Sequence, residues 1–587
     1  MSGLHLRVRL LAFLLIVVLS SFLGPSARTQ NQTVIRSSSS LVLVPVSAMD
    51  KSGHFVSGMI ASDFKILVDG KPVEIASFDM VTEAAAPSAS AETSASLPPH
   101  TFRNISEASA SQPNLVILFV DYLNTRLVDR MGLREGMLRY LATKLKPDQE
   151  IAVYGLTERL VLLQPFTRNS SALIVVARNL LKQKGQTPDP SVGKLLVKPG
   201  EETKAAIAAA GQGSDVGMEY FAAMEARRTY NLDQLHRAQQ TLEAFRQLAG
   251  SFGGTPGKKT VIWLTGDVSP LNPTLLYRIL VYHPEVQTEV TPWWEIAKTY
   301  ELLNAAGISV FPADIRGLGN PGLLSAGENM SRDEFQQTVR GSVAEDMSAY
   351  ATPTDMRQGE AANAALAMDA VAGETGAKVL AGTNDIAELL DRAYKLWASY
   401  YVLAFVPETP EANSAPSYHK IKVSVDRKGV QILSRRGYVS RQETLISTDA
   451  EIHRDLLEAA SSPIDLTSIA LELSLRELPG GGRIRHCPFS IKVSNALLET
   501  VSEKGAPYDL TLAILVLNQD GKFASPVEKR LRGTVPQTAI SQVKTNGMQY
   551  DAEFEPPPGG PYFGRVIVRD NVTGRLGTIT VALPTTP

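Results

Sequence analysis

The stretch Leu115–Thr125, LVILFVDYLNT, is an apolar run that ends abruptly in Asp121 and continues into Asn124 and Thr125. Apolar residues in succession, without polar alternation, describe a strand buried on both faces, as in a parallel sheet covered by helices on each side. Ligands of such sheets sit outside the carboxyl ends of the strands. An aspartate, an amide and a hydroxyl at that end offer the hard oxygen donors that a divalent ion takes. The same residue types cap helices, so a metal site and a cap for the following helix are both open readings.

At 587 residues the chain is too long for one ordinary domain and suits three. With 44% hydrophobic and 20% charged residues it has the composition of a globular protein. A formal net charge of −2, without a dense Lys/Arg run on any predicted helix, argues against a nucleic-acid partner. Cys487 is the only cysteine, which excludes an intramolecular disulfide and multi-cysteine structural zinc. That usage suits a bacterial envelope or extracellular protein.

Residues 1–27 read as a secretory signal peptide. His5, Arg7 and Arg9 precede the apolar Leu10–Leu23, and Gly24–Ala27 supplies small residues for cleavage. The run is too short to cross a bilayer comfortably, and an uncleaved anchor is its rival. No later segment approaches a spanning length, so a secreted or periplasmic protein without a membrane span after cleavage is expected.

Residues 33–80 form a small β unit: a strand at LVLVPVSA, a turn at Asp50–Gly53, and Asp63–Val68 leading into the Asp69-Gly70 hairpin signal. So small a unit must pack on a neighbour. Residues 81–112, rich in Ala, Ser, Glu and Pro, read as a flexible linker. Residues 113–440 alternate strand-like segments (Leu115 onward, Ile151–Gly155, Leu160–Leu163, Val261–Leu264, Ile308–Ala313, Tyr400–Val406) with helix-like ones (Val128–Leu145, Leu173–Leu181, Leu232–Leu248, Ile296–Ala306, Ile386–Leu396). That alternation predicts an α/β fold, a doubly wound, mostly parallel sheet with helices on both faces. Inserts at 183–226 and 318–361 interrupt it and read as disorder or surface decoration. From Thr448 the period shifts to two, and residues 448–587 read as a β-sandwich.

Catalytic motifs are scarce. Gly253–Thr260, GGTPGKKT, has neither the spacing nor the strand-then-helix order of a phosphate loop, and reads as a helix-stopping turn feeding a strand. The histidines are scattered, without HExxH, and no GxSxG occurs. Ser191–Lys194 matches SxxK without the SDN or KTG that would support it. Cys487 lacks a nearby base and reads as a small buried side chain.

Several blocks, in order, carry a resemblance. DFKILVDGKPVEIASF, NLVILFVDYLNT, TLEAFRQLAGSFGGTPGKKTVIWLTGD, AAGISVFPADIRGLG, ETGAKVLAGTNDIAELLDRAYKLWASYYVLAFVP and KIKVSVDRKGVQILSRRGYV together span about Val42 to Val439. They resemble a von Willebrand factor A-type domain, more narrowly the VWFA-related domain family described from Acidobacteria. The resemblance implies a metal-ion-dependent adhesion site in which a DxSxS loop, a distant threonine and an aspartate hold Mg²⁺. Asp121 matches the first aspartate and Thr125 the second serine, while Leu123 stands where the first serine would be. In Thr265-Gly266-Asp267 glycine occupies the usual aspartate's place, leaving Asp267 beside it, and Thr229 is the candidate for the distant threonine. The metal set is thus Asp121, Thr125 and Asp267, a degenerate site for Mg²⁺ if any cofactor is used. The expected function is that of a secreted, non-enzymatic adhesion protein binding a protein partner; the rivals are a metal-free envelope scaffold and a hydrolase.

Overall fold

The structure, a computed structural model, describes residues 41–81, 100–104, 114–182 (without 147–148), 215–271 (without 256 and 267–270), 293–317, 353–408 (without 398), 417–440, 447–477 (without 463 and 475), 485–492, 505–517, 527–554 and 563–583. The expected signal peptide, most of both inserts and Asp267 lie outside the described residues. Among the described residues no helix is long and apolar enough to cross a membrane.

The strands, in chain order, begin with β1 (Val42–Met49), β2 (Phe64–Val68), β3 (Lys71–Val73), β4 (Ser77–Val81) and β5 (Thr101–Arg103). Then follow β6 (Asn114–Asp121), β7 (Ile151–Leu156), β8 (Leu160–Thr167), β9 (Lys258–Thr265), β10 (Ile308–Asp314), β11 (Tyr400–Phe405), β12 (Ser417–Val425), β13 (Gln431–Ser434) and β14 (Gly437–Ser440). The last are β15 (Ala470–Ser474), β16 (Arg476–Glu477), β17 (Arg485–Lys492), β18 (Ala506–Leu517), β19 (Val527–Val535), β20 (Met548–Phe554), β21 (Phe563–Asp570) and β22 (Leu576–Ala582). The helices are α1 (Leu127–Thr143), α2 (Ser170–Asn179), α3 (Asp215–Phe252), α4 (Trp293–Ala305), α5 (Pro353–Glu374), α6 (Ile386–Trp397), α7 (Asp449–Ser461) and α8 (Ile540–Asn546).

The chain is mixed α/β, with one mainly parallel sheet and several antiparallel ones. The parallel sheet has the order β10-β9-β6-β7-β8, and only the β7–β8 pair is antiparallel. The run of apolar residues in β6 is explained by its central place. Val116, Leu118 and Val120 face a core shared with α1, α2 and α6, and Ile117 and Phe119 face another shared with α3, α4 and α5. On the second side Phe119, Phe245 and Trp263 form a T-shaped chain with ring centroids 5.7 and 5.2 Å apart. Each such pair contributes about 1 kcal/mol beyond simple burial. Helix α3 presents Leu235, Ala238, Leu242, Phe245 and Leu248 to that core, which is the face its sequence spacing predicts.

The structure redraws three expected boundaries. The segment Tyr400–Val406, read as part of the parallel sheet, instead places β11 antiparallel between β1 and β4. The amino-terminal strands therefore share two sheets with residues 400–440: β13-β1-β11-β4 and β14-β12-β2-β3. Their joint core includes Val44, Val46, Phe64, Tyr401, Leu403, Phe405 and Tyr438. The physical reason is burial: β1 and β2 alone have no second layer to cover their apolar face. The Asp69-Gly70 turn has positive φ at both positions, 49° and 83°, as a tight two-residue hairpin requires.

The expected linker is the second correction, because its residues Thr101–Arg103 form β5 against β15. Third, helix α7 opens a region expected to be all strand, and helices α3 and α5 begin inside the expected inserts. In the carboxyl-terminal region, β5, β15, β16, β17 and β20 make one antiparallel sheet, and β19-β18-β21-β22 another. Leu471 and Leu473 of the first share a core with Leu510, Leu512, Ile514, Val566 and Val568 of the second. This region docks on the end of α3, where Thr467 N donates to Gly250 O at 2.7 Å and Arg246 pairs with Glu458 at 2.9 Å.

Candidate functional site

Strand β6 is flanked by β7 and β8 on one side and by β9 and β10 on the other, so the winding reverses at its carboxyl end. Ligands of parallel sheets bind outside the carboxyl ends of the strands, and Asp121 is the last residue of β6. Its side chain is fully buried. Oδ1 accepts from Asn124 N at 2.8 Å; Oδ2 accepts from Asn124 Nδ2 at 2.9 Å, Trp263 Nε1 at 3.0 Å and Thr265 Oγ1 at 2.9 Å. Asn124 Nδ2 also donates to Thr241 Oγ1 at 3.1 Å, and the Thr241 hydroxyl donates to Arg237 O at 2.8 Å. Parallel registry brings the partners together, since Val120 lies beside Leu264 and Phe119 beside Trp263.

Around this knot the loop is held by main-chain contacts. Arg130 donates from Nη2 to Tyr122 O at 2.6 Å and from Nε to Thr125 O at 3.1 Å. Thr125 Oγ1 accepts from Gly266 N at 3.1 Å, tying the loop to the end of β9. Burial pushes the Asp121 carboxyl up to about 6, against four hydrogen bonds that favour its charged form.

Asp121, at the carboxyl end of β6, and Thr125, in the loop after it, are each hydrogen-bonded to the end of β9, through Thr265 and Gly266 respectively. Neither caps helix α1, whose N-cap is Arg126 with no side-chain cap bond. Among the described residues the donor set also does not fit a divalent ion. Mg²⁺ takes oxygen lone pairs in near-octahedral array, and here the groups facing Asp121 are N–H and O–H protons. Leu123 is buried in the apolar core beneath the loop. Among the described residues no cluster of three or more His, Cys, Asp or Glu is placed to hold a metal. Asp267 and the Thr229 side chain lie outside the described residues. A Cβ added at Gly266 would lie 3.4 Å from Thr125 Cγ2 and 3.6 Å from Asp129 Oδ2, so a carboxylate there would face a second acid.

Trp263 and Thr241 are the partners that sequence reasoning did not assign to this site; Asn124, read there as an oxygen donor, instead gives Asp121 two N–H bonds. Trp263 reads as core, which it is, and nothing local signals that its indole N–H reaches the next strand. GGTPGKKT takes the predicted role of helix stop and strand start. Lys259 is buried and its ammonium donates to Thr255 O and Ala306 O, just past the ends of α3 and α4. A cation there complements two helix dipoles.

A second cluster joins residues that are distant in sequence. His419 Nδ1 lies 2.7 Å from Asp69 Oδ2, and its Nε2 lies 2.8 Å from Ser440 Oγ and 3.0 Å from Ser417 Oγ. The ring stacks on Tyr438 at 5.0 Å. The order is that of a nucleophile, base and acid, although the Ser440 hydroxyl is shared with Ser417 at 2.8 Å. The same contacts pin the β2–β3 hairpin to β12 and β14.

No family model matches this sequence, and neither does any curated protein. Solved structures do align with it. An aerotolerance-related membrane protein from Bacteroides fragilis aligns at TM-score 0.22 and 10% identity, over 49% of this chain and 98% of that one. A von Willebrand factor type A protein from Catenulispora acidiphila aligns at 0.23 and 10%, over 70% and 84%. The von Willebrand factor domain of a type V pilus tip protein from Porphyromonas gingivalis aligns at 0.18 and 8%, over 34% and 80%. These scores lie below 0.5, and the identities do not exceed 10%.

Proposed function

We propose that this chain is a secreted, non-enzymatic protein-binding protein built on a doubly wound, von Willebrand A-like domain, flanked by a discontinuous β module and a carboxyl-terminal β-sandwich. Its recognition of a protein partner does not use a bound cation. One observation carries this reading: the aspartate at the winding reversal has its carboxylate taken up by four protein donors. In this reading the Asn124, Trp263 and Thr265 protons hold the loop in the shape a metal would otherwise impose, and the crevice face is preformed. Calorimetric titration with Mg²⁺ and Mn²⁺ should give no saturable heat, and melting should be the same in Mg²⁺ and in chelator. Saturable Mg²⁺ binding that Asp121→Asn abolishes would overturn the reading.

The His419 cluster favours a second reading, a serine hydrolase with Ser440 as nucleophile, His419 as base and Asp69 orienting it. A fluorophosphonate probe decides it: labelling of Ser440 that His419→Ala abolishes would establish the hydrolase, and an unlabelled chain removes it.

A further inference from the structure

Strand β5 belongs to no neighbour in sequence. It comes from a stretch read as linker, yet Thr101, Phe102 and Arg103 pair antiparallel with Ser474, Leu473 and Glu472 of β15. The contacts go beyond backbone pairing. Arg103 Nε meets Glu472 Oε2 at 2.7 Å, and the Thr101 and Ser474 hydroxyls lie 3.0 Å apart. Asn104 makes the most specific contacts: its Oδ1 accepts from Leu471 N at 2.8 Å, while Nδ2 donates to Leu466 O at 2.8 Å and to Ile469 O at 2.9 Å. Its own backbone N–H reaches Leu471 O at 3.2 Å.

The receiving edge is built for that set. The other side of β15 is already taken by β17, so this edge has main-chain groups to offer, and an open strand edge readily takes an extended segment. Glu472 supplies the charge that a basic residue answers. The carbonyls of Leu466 and Ile469, with the amide of Leu471, form a three-point cradle that one primary amide satisfies at once. Phe102 stands opposite Leu473, a core residue, and remains partly exposed. A hydroxyl, an aromatic, a base and an asparagine in that order are thus read by position.

We propose that the edge of β15 is a peptide-binding site for an extended strand of the pattern Thr-Phe-Arg-Asn, which the chain occupies with its own residues 101–104 as a tethered ligand. Tethering gives residues 101–104 a high effective concentration, so the natural chain excludes the same peptide offered in solution. Removing the tethered strand's side chains should open the site in trans.

The test uses the full chain carrying Phe102→Gly, Arg103→Gly and Asn104→Gly, and a labelled peptide of residues 99–106. Fluorescence anisotropy should show saturable binding to this variant and none to the natural chain. A peptide with alanine at the Asn104 position should bind about tenfold more weakly, the loss expected for hydrogen bonds into a partly buried cradle. A folded variant that takes up no peptide, or that does not distinguish the alanine peptide, overturns the proposal. Should the triple variant not fold, Asn104→Ala is read by hydrogen exchange. Exchange at the Leu471 amide should quicken about tenfold, and an unchanged rate overturns the proposal.

Discussion

Asp121, at the head of the parallel sheet, and Asp509, in the carboxyl-terminal region, both exchange water for protein donors, but the donors differ in charge. Asp121 meets an amide, a backbone N–H, an indole and a hydroxyl. Asp509 meets Arg530 at 2.8 and 2.9 Å, Arg532 at 3.0 Å and Asn571 at 2.7 Å. Burial raises the first carboxyl to about 6. Burial works upward on the second too, yet Arg530, Asn571 and Arg532 bring it down to about 2. Neutral donors fill lone pairs without cancelling charge, and guanidinium groups do both. The sheet head is therefore held by geometry, and the carboxyl-terminal region by charge.

The largest expected effect tests the charged side. Arg569 is buried and gives two bonds to Asp455, at 3.0 and 2.6 Å. Asp455→Ala leaves that charge uncompensated and should cost about 3–5 kcal/mol in urea denaturation. A loss below about 1 kcal/mol would mean that Asn571 and Ser447 suffice, and the contrast would fall.

The next effect has a sign. Asp121 titrates near 6 when folded and near 3.8 when unfolded. Between those values the folded chain keeps a proton that the unfolded chain has released. Its contribution is therefore present below about pH 4 and lost as pH rises through 6, on the order of 3 kcal/mol. Asp509 has the opposite sign, stabilising above 3.8 and losing that contribution as pH falls toward 2. The Trp263 indole proton resonance should titrate with a midpoint near 6, and Asp121→Asn should flatten it. A midpoint below 4 would place Asp121 in the same class as Asp509.

The smallest effect concerns the loop tie. Thr125→Val removes the acceptor of Gly266 N and should cost about 1 kcal/mol in the same denaturation experiment. A loss of 3 kcal/mol or more would assign the loop's shape to Thr125 rather than to Asp121.

The strands of the parallel sheet were legible because double-sided burial leaves an apolar run, as at Leu115–Val120 and Val261–Leu264. The face of α3 was legible from helical spacing. Helix α7 was not, since only Ile452, Asp455, Leu456 and Ala459 are buried among many charges. Its signal was the Thr448–Glu451 capping box, where Thr448 Oγ1 accepts from Glu451 N at 3.2 Å. In the site, Asp121 and Thr125 were readable from position, whereas Trp263 and Thr241 joined through strand registry and helix packing, which no local pattern encodes. Asn104-Ile105-Ser106 and Asn571-Val572-Thr573 match the N-x-S/T glycosylation pattern in sequence, and packing again decides what these residues do. The Asn104 amide is committed to the β15 cradle, and the fully buried Asn571 amide bonds to Asp509 and Thr511.

The pairing of β1 with β11 bears on the order of events during synthesis. Val42 is made early, but its partner Phe405 emerges only after the entire α/β segment. Domains fold as units while the chain lengthens, and long-range strand pairing is slow. The strands β1 and β2 must therefore wait with their apolar faces open until the α/β segment has folded and brought residues 400–425 back to them.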